Sequence, residues 1–314
     1  MLSIVIPTHR RSDLLGACLD AVVQHAPADC EVIVVDDGSP DGAARQVAQR
    51  FTGVRVLQLP RSVGFAGAAN AGIRASRGDI IELLNDDTEV QPSWADAALL
   101  PFRNPSVGAV APLVLAWPDG TIIDSAGDRY YLGGVAGKRG HGEPLGEKYL
   151  QPCPIFGASA SSAFYRRSVL DGVGLLAERF GSYFEDVDLA FRIRRAGYQA
   201  VYEPAARVLH HVSASHGRHG RRLLERQSCN EERVFWRNIP AGVLPRALPQ
   251  HCAVLAAKAW RRWKEGALIP WLAGRLRVLG EVGDVLRHRR TLRAMTAVED
   301  VAGWYVEEHF WGQS

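Results

Sequence analysis

The sequence contains three short acidic clusters whose residue types could do chemistry. In the first, Asn85, Asp86 and Asp87 stand directly after an apolar run. Carboxylate oxygens in that position could hold a divalent cation that bridges two phosphates, because hard cations prefer oxygen ligands. Short acidic turns and helix caps have the same composition, so these residues alone leave the metal site and the simple turn equally open.

The second cluster, Asp36 and Asp37, follows the β-branched run at residues 31–35 and precedes a turn rich in Gly and Pro. A carboxylate here could accept a hydrogen bond from a nucleobase N–H group, as recognition of uracil or thymine requires. A turn exposed to solvent explains the same residues, and taken alone the cluster favours that interpretation.

The third cluster consists of Glu185, Asp186 and Asp188 at the start of a predicted amphipathic helix. Deprotonation of an acceptor hydroxyl requires a carboxylate or imidazole within hydrogen-bond reach, and Asp186 could supply it. Acidic residues in the first helical turn also stabilise the helix macrodipole. Asp188 fits that structural role, whereas Asp186 fits either.

Two further features could contribute ligands. His210 and His211 lie in an extended segment, where adjacent side chains point to opposite faces, so only one of them can face a site. Imidazole is a common metal ligand, but a structural histidine is the more usual outcome. Gly64 and Asn70 belong to a loop that would let the backbone approach phosphate or ribose, without the spacing of a dinucleotide fingerprint or a P-loop.

The elements that would position these residues alternate between strand and helix. Strands are predicted at residues 4–6, 31–35, 54–58 and 79–84, with helices at about 14–23, 43–51 and 68–76. Near-continuous apolar strands that alternate with helices favour a parallel sheet covered on both faces. Ligands bind such sheets at the carboxyl ends of the strands, so Asp37 and Asp87 are expected on the same rim.

Beyond residue 115 the pattern changes. Predicted here are loops or a short hairpin at residues 120–146, a strand at 159–165, a helix at 186–196, an extended segment at 201–212 and helical structure from about 223. We therefore predict an α/β catalytic domain at residues 1–222, with a nucleotide-binding half at about 1–115 and an acceptor half at about 116–222. A helical, basic extension is predicted at residues 223–314.

The composition narrows the class of protein. The chain has 314 residues, of which 47% are hydrophobic and 23% charged, a globular balance. Its net charge of +3 gives no overall field that would attract nucleic acid. Five cysteines without a CxxC pair predict reduced thiols. No basic leader precedes the first strand, and no run of about 18 apolar residues occurs, so we expect a cytoplasmic protein without a signal peptide or membrane span.

Taken together and in their order, these motifs resemble glycosyltransferase family 2, whose members have the GT-A fold. The resemblance implies a Rossmann-like α/β fold with a mixed, mostly parallel sheet and flanking helices, followed here by a helical C-terminal tail. Within the family, the chain looks most like bacterial rhamnosyltransferase-like enzymes of cell-wall, O-antigen or capsule assembly. The resemblance extends over about residues 1–220 and is carried by residues 4–10, 34–39, 63–72, 84–88, 183–189, 194–198 and 208–211. The motifs are specific as a set, although each is weak by itself.

The resemblance implies a role for each motif residue. Asp186 would be the catalytic base and Glu185 its neighbour toward the acceptor. Asp87 would be the main metal ligand, because Asn85 replaces the first acid of the family's DxD motif. His210 is the better match to the family's late metal-binding histidine, with His211 as the alternative. The residues expected to contact the nucleotide are Pro7, Thr8, Arg10, Asp37, Gly64, Asn70 and Asp86.

The implied function is that of a metal-dependent, inverting glycosyltransferase. Its donor would be a nucleoside-diphosphate sugar, with dTDP-rhamnose favoured over UDP-sugars, and its cofactor a divalent cation (Mg²⁺ or Mn²⁺). Its acceptor would be a glycan or lipid-linked hydroxyl in cell-surface polysaccharide assembly. A degenerate domain that binds a nucleotide sugar or scaffolds other enzymes is the alternative. A nicotinamide dehydrogenase or nucleotidyltransferase is disfavoured, because the chain lacks GxGxxG after its first strand and a basic Gly-rich loop.

The extension allows two interpretations. Arg and Lys interleaved with Trp260, Trp263, Trp271 and Leu279 suit an amphipathic helix on the anionic inner face of the cell membrane, near a lipid-linked acceptor. Alternatively, the extension packs on the catalytic domain or forms a homo-oligomer interface, with its arginines exposed to solvent. The sequence supports both about equally.

Overall fold

The computed structural model describes residues 1–211, 220–294, 302–304 and 306–307. This part of the chain forms a ten-stranded sheet, a separate three-stranded sheet and a helical C-terminal region. The strands are β1 (Leu2–Thr8), β2 (Glu31–Asp36), β3 (Val54–Gln58), β4 (Ile80–Leu84), β5 (Thr88–Val90), β6 (Val107–Ala116), β7 (Ile123–Ser125), β8 (Asp128–Tyr131), β9 (Val135–Lys138), β10 (Cys153–Ile155), β11 (Ser162–Arg166), β12 (Gln199–His210) and β13 (Val306–Glu307). The α-helices are α1 (Ser12–His25), α2 (Ala43–Ala48), α3 (Phe65–Ala75), α4 (Trp94–Leu99), α5 (Arg167–Val173), α6 (Glu185–Arg195), α7 (Arg221–Asn238), α8 (Leu244–Lys264), α9 (Leu268–Arg277) and α10 (Val282–Ala294).

The large sheet has the strand order β10-β12-β6-β11-β4-β1-β2-β3, and β5 and β7 pair with β12 and β6. The pairs β1–β2, β1–β4, β2–β3 and β6–β12 are parallel. Because β11 is antiparallel to both β4 and β6, those two strands also run the same way. Six of these ten strands therefore share one direction, which confirms the predicted mixed, mostly parallel sheet with flanking helices.

β1 lies at the centre of the parallel strands because it is apolar on both faces. Every residue of β1 is buried. On one face Val5 packs with Ile33 and against residues of α3. On the other face Ile4 packs with Val34 and with residues of α1 and α4. Both faces of β1 are therefore covered, and because β1, β2 and β4 are parallel, their carboxyl ends meet at one rim.

Two differences from the predicted elements are informative. α3 begins at Phe65 rather than at residue 68, because Gly64 takes a φ of +83° that glycine tolerates and directs the chain into the helix early. Residues 120–146, predicted as loops or a short hairpin, contain β7 as well as the antiparallel pair β8–β9. The end of the predicted extended segment, at residue 212, lies outside the described residues.

The C-terminal helices pack against the α/β part. Asp188 of α6 is completely buried and accepts hydrogen bonds from Arg237 Nε at 3.1 Å and Asn238 Nδ2 at 3.0 Å, both in α7. β13 pairs in parallel with β8, with Val306 opposite Tyr130. Among the described residues, no helix combines the length and the apolar character needed to cross a bilayer.

Candidate active site

Two adjoining cavities open at the rim where the parallel strands end. The smaller, of about 320 Å³, includes Thr8 and Asp37 in its wall. The larger, of about 700 Å³, includes His210 and Asp186. The residues that line both are Arg11, Phe65, Asn85, Ser182 and Arg226. The two spaces therefore share one boundary, which is formed by residues that come after β1 and β4, by α3, by the loop before α6 and by the C-terminal helix α7.

The smaller cavity collects five of the residues predicted to contact a nucleotide, namely Pro7, Thr8, Asp37, Gly64 and Asp86. Asp37 organises its wall, because Oδ1 accepts the Val63 N–H at 2.7 Å and Oδ2 accepts the Gly64 N–H at 3.0 Å and the Ser62 hydroxyl at 2.7 Å. Gly64 also approaches the neighbouring chain closely, since a Cβ there would lie 3.0 Å from the carbonyl oxygen of Gly181. The cavity thus has a fixed, glycine-bearing wall.

The acidic pair after β4 is partly neutralised by Arg11. The guanidinium Nη2 lies 2.9 Å from Asp87 Oδ2, and Nη1 lies 3.6 Å from Asp86 Oδ1. On its other oxygen, Asp86 accepts the Thr8 hydroxyl at 2.7 Å. Burial raises the pKa of Asp86 to about 6, although Thr8 and Arg11 act in the opposite direction. Asp86 therefore takes up a proton at a higher pH than Asp87, whose pKa is lowered.

His210, at the end of β12, lies between two buried carboxylates. Its Nε2 is 3.2 Å from Asp87 Oδ1, and its Nδ1 is 2.9 Å from Asp124 Oδ2. Burial lowers the pKa of His210, but its bonds with Asp124 and Asp87 outweigh burial and raise the pKa to about 9. The same contacts, with Arg11, lower the pKa of Asp87 against the effect of burial. Without a bound cation, the imidazolium can therefore donate to both carboxylates at neutral pH, and a cation bound at Nε2 would have to replace the proton there.

The contact between Asp87 and His210 defines the best candidate for a cation site. A carboxylate oxygen and an imidazole nitrogen face each other at 3.2 Å, and a divalent cation accepts both types of donor. In the part of the chain that the structure describes, no cluster of three or more His, Cys, Asp or Glu residues is arranged to hold a metal. Asp87 and His210 could supply two ligands, and a bound diphosphate or water would have to add the rest.

Asp186 stands at the first turn of α6 and faces the larger cavity. Its Oδ2 accepts the Ala160 N–H at 3.0 Å and its Oδ1 the Val187 N–H at 2.8 Å. Burial raises the pKa of Asp186, and these backbone bonds oppose the increase. The neighbouring Glu185 is buried, with Oε2 unpaired, and burial together with the Asp186 charge raises its pKa. The carboxylate of Asp186 is thus oriented, and its raised pKa suits a proton acceptor.

The loop before Asp186 is held by a side chain of the C-terminal extension. Tyr183 and Phe184 have φ angles of +74° and +72°, which non-glycine residues seldom adopt and which tend to occur at functional sites. The Asn230 amide of α7 donates to the carbonyl oxygens of Ser182 at 3.1 Å and Tyr183 at 2.9 Å. Leu223 and Gln227, on the same helix, line the larger cavity. The extension therefore takes part in shaping the cavity.

Four residues given a role at the site by the sequence, Arg10, Asn70, Asp87 and His211, are not in the walls of either cavity, although Asp87 contacts His210 and Arg11 just behind them. Arg10 is exposed with a φ of +57°, and the next residue, Arg11, faces the rim in its place. Asn70 is buried in the packing of α3, where its amide donates to the Leu176 carbonyl at 2.8 Å and accepts the Leu176 N–H at 3.0 Å. The His211 ring stacks on Trp117, and its Nε2 lies 2.7 Å from Glu89 Oε1. Because Arg10 and Asn70 are absent from the walls of both cavities, we build nothing further on the nucleotide contacts predicted for them, which stay predictions.

Sequence analysis missed other residues of the larger cavity, namely Arg11, Asp124, Lys138, His141 and Arg226. Lys138 Nζ donates to Asp124 Oδ2 at 2.8 Å, and His141 Nδ1 lies 3.0 Å from the Asp124 carbonyl oxygen. Although burial opposes it, the contacts with His141 and His210 hold the pKa of Asp124 far below its usual range. The available signal was a single acid within the short apolar stretch at residues 122–126.

Known proteins are similar to this chain in sequence and in fold. Residues 3–174 match the family model described as Glycosyl transferase family 2. N-acetylglucosaminyl-diphospho-decaprenol L-rhamnosyltransferase of Mycobacterium tuberculosis is 32% identical over 241 residues, which cover 69% of this chain and 78% of that protein. The chain belongs to glycosyl transferase family 2.

A second sequence relative and a solved structure are also similar to this family 2 glycosyltransferase. An uncharacterised protein of Sinorhizobium fredii is 35% identical over 232 residues, which cover 69% of this chain but only 25% of that protein. The mannosyltransferase PcManGT from Pyrobaculum calidifontis, solved in complex with GDP-Man and Mn²⁺, aligns with a TM-score of 0.58 and 20% identity. That alignment covers 96% of this chain and 84% of the other, and shows that the fold is the GT-A fold of glycosyltransferases.

Proposed function

We propose that this family 2 glycosyltransferase transfers a sugar, with inversion and with the help of a divalent cation, from a nucleoside diphosphate to a glycan or lipid-linked hydroxyl. The observation that supports this most is the shared boundary between the two cavities. Asp37 lies on one side, and Asp186 and His210 lie on the other. A nucleotide in the smaller cavity would place its diphosphate and sugar at the boundary, within reach of the larger cavity.

The donor would enter through the smaller cavity. Its base would lie near Asp37, which also fixes the loop that carries Gly64. Its diphosphate would lie near Arg11, which lines both cavities. The relative in M. tuberculosis is named for L-rhamnosyl transfer to a diphospho-decaprenol-linked sugar. We therefore favour dTDP-rhamnose, with UDP-sugars as the second choice, and a cell-surface polysaccharide precursor at the cytoplasmic side of the membrane as acceptor.

Asp87 and His210 are the residues that would hold a divalent cation, Mg²⁺ or Mn²⁺. They present a carboxylate and an imidazole at a distance of 3.2 Å, and Mn²⁺ accompanies the nucleotide sugar in the structurally similar mannosyltransferase. When bound, the cation supplies Lewis-acid neutralisation of the diphosphate leaving group. Arg11 contributes a second positive charge at the same carboxylate. Together these groups would stabilise the charge that develops as the sugar leaves.

Asp186 would act on the acceptor. Its carboxylate, oriented by the N–H groups of Ala160 and Val187, accepts the proton of the acceptor hydroxyl. The oxygen then bonds to the anomeric carbon on the face opposite the diphosphate, and the bond from that carbon to the diphosphate breaks. Because attack and departure occur on opposite faces, the anomeric configuration inverts.

Thermal denaturation with nucleotides tests this proposal. We expect dTDP, UDP or their sugars to raise the melting temperature, and Mn²⁺ to increase the shift, because a ligand that binds the native state stabilises it. The Asp87→Ala variant should lose the Mn²⁺-dependent part, whereas Asp171→Ala, at an exposed acid on α5, should keep it. Failure of every nucleoside diphosphate to shift the wild type would refute the proposal. Binding without metal-dependent donor turnover would instead indicate a binding module.

A further inference from the structure

The last helices carry a row of exposed apolar side chains. We call this row the apolar stripe; it runs from α9 through a short 3₁₀ turn into α10 and consists of Ile269, Leu272, Leu276, Leu279, Val282 and Leu286, which are 41–71% exposed. Successive members are three or four residues apart, a spacing that places side chains on one side of a helix. Most helices of a globular protein carry polar residues on the side that faces solvent.

A different side of the same helices makes the contacts with the rest of the protein. Trp271, Val278, Val285 and Leu292 are buried and lie seven residues apart. Gly274 contacts α7 so closely that a Cβ there would lie 2.2 Å from the carbonyl oxygen of Glu225. The packing side of α9 and α10 is therefore already defined, and the apolar stripe is additional to it.

Two tryptophans stand just before the apolar stripe in the chain. Trp260 and Trp263, in the last turns of α8, are 58% and 59% exposed, with ring centroids 5.0 Å apart. Lys264 Nζ lies 4.9 Å from the centre of the Trp260 ring. Exposed Trp beside Lys and Arg is the combination that concentrates at the interface between lipid headgroups and acyl chains.

The charge of α8–α10 indicates whether the apolar stripe would bind lipid or a second copy of the chain. Residues 244–294 contain eleven Arg and Lys but only three Asp and Glu, a formal charge of +8, whereas the whole chain carries +3. Arg277 and Arg287, beside the apolar stripe, are largely exposed. Two copies of so basic a surface would repel each other, whereas an anionic surface would attract it. The charge thus favours lipid over a second copy of the chain.

We propose that the apolar stripe, with Trp260 and Trp263, docks on an anionic lipid bilayer. The apolar side chains enter the boundary between headgroups and acyl chains, and the surrounding Arg and Lys contact lipid phosphates. The inference goes beyond the transfer reaction and does not depend on it, because it rests on the exposure and charge of α8–α10 alone.

Vesicle co-sedimentation of the purified full chain tests the inference. We expect the protein to bind vesicles of equal parts phosphatidylcholine and phosphatidylglycerol, to bind pure phosphatidylcholine much less, and to be released by salt. The double variant Leu276→Glu/Leu279→Glu should lower the partition coefficient at least about tenfold, because it removes two apolar contacts and adds two negative charges. Both side chains are more than 60% exposed, so the melting temperature should not change.

The matched control is Val23→Glu/Leu100→Glu, which makes the same change at two exposed apolar residues on the α/β part. Val23→Glu/Leu100→Glu should bind vesicles much more strongly than Leu276→Glu/Leu279→Glu. Equal loss in both variants would overturn the inference, as would wild-type protein that ignores anionic vesicles at low salt. Self-association that disappears only in the Leu276→Glu/Leu279→Glu variant, with no vesicle binding, would assign the apolar stripe to a second copy instead.

Discussion

His210 Nδ1 lies 2.9 Å from Asp124 Oδ2, while Nε2 of the same ring faces Asp87 at 3.2 Å. The Asp124 carboxylate therefore fixes the orientation of the imidazole that we propose as a cation ligand. Partners of this kind set the ring orientation and raise the basicity of the ligand. Asp124 is itself held by Lys138, whose Nζ donates to it at 2.8 Å.

We predict that Asp124→Asn weakens Mn²⁺ binding about 10- to 100-fold, because the amide is a poorer partner for the ring. Calorimetric titration of Mn²⁺ in the presence of a nucleoside diphosphate measures this directly. The melting temperature without metal reports separately on folding. Asp119→Asn, at an exposed turn residue, serves as the control and should bind Mn²⁺ like the wild type. Unchanged Mn²⁺ affinity in Asp124→Asn would show that Asp124 does not position His210.

The burial of Glu82 leads us to predict that the stability of the protein depends on pH. This side chain is fully buried in β4 and accepts the Trp94 indole N–H at 3.1 Å and the Ser162 hydroxyl at 3.0 Å. Burial raises its pKa from 4.5 to about 8, against these two bonds. Between these two pKa values, Glu82 keeps its proton in the folded state but releases it in the unfolded state. The stabilisation of the folded state by this proton is therefore complete below pH 4.5 and is lost as the pH rises toward 8.

We expect Glu82→Gln to remove this dependence. From about pH 5 to pH 9 the free energy of unfolding of the wild type should fall relative to that of the variant, by on the order of 4 kcal/mol. Urea denaturation of both proteins across this range gives the difference, in which the other titrating groups cancel. Glu147→Gln, at an exposed residue, should follow the wild type at every pH. Parallel curves for Glu82→Gln and the wild type would mean that Glu82 is ionised in the folded protein.

The buried ion pairs of Asp188 predict that the extension contributes to stability. Asp188 Oδ1 accepts Arg237 Nε at 3.1 Å, and Oδ2 accepts Arg192 Nε at 3.0 Å. Removal of Arg237 leaves a buried carboxylate with one cation fewer, so Arg237→Met should lower the free energy of unfolding by about 3 kcal/mol. Chemical denaturation measures the change. Arg290→Met, at an exposed residue of α10, should cost much less, and equal losses would contradict the role of Asp188.

The sequence predicts those parts of the site that follow from strand direction. Thr8 ends β1, Asp37 and Asp87 follow β2 and β4, and His210 ends β12, which runs the same way. Parallel strands bring their carboxyl ends to one rim, so Asp87 and His210 meet although 123 residues separate them. The alternation of side chains along β12 likewise predicts that only one of the adjacent histidines faces the site. The choice of His210 over His211 needed the family resemblance.

Other parts of the site depend on contacts that local patterns do not contain. Asp124 reaches His210 only because β7 pairs with β6, and that pairing has an irregular register next to Val114. An amide in a helix can face either a ligand or a neighbouring loop. The Asn70 amide bonds to the backbone of Leu176, which lies 106 residues further along the chain. The conformation at Arg10 turns the next arginine toward the rim. Periodicity and motif spacing do not predict these contacts and backbone conformations.

The most direct test of the proposed function is the rate of sugar transfer by Asp186→Asn beside its affinity for the donor. We predict that transfer falls about 1,000-fold, because the proton acceptor is lost. Donor binding should stay close to that of the wild type, because Asp186 lies on the acceptor side and the smaller cavity is intact. Asp171→Asn, at an exposed acid, should transfer normally. Near-wild-type transfer by Asp186→Asn would contradict the account, because a different group would then have to accept the proton.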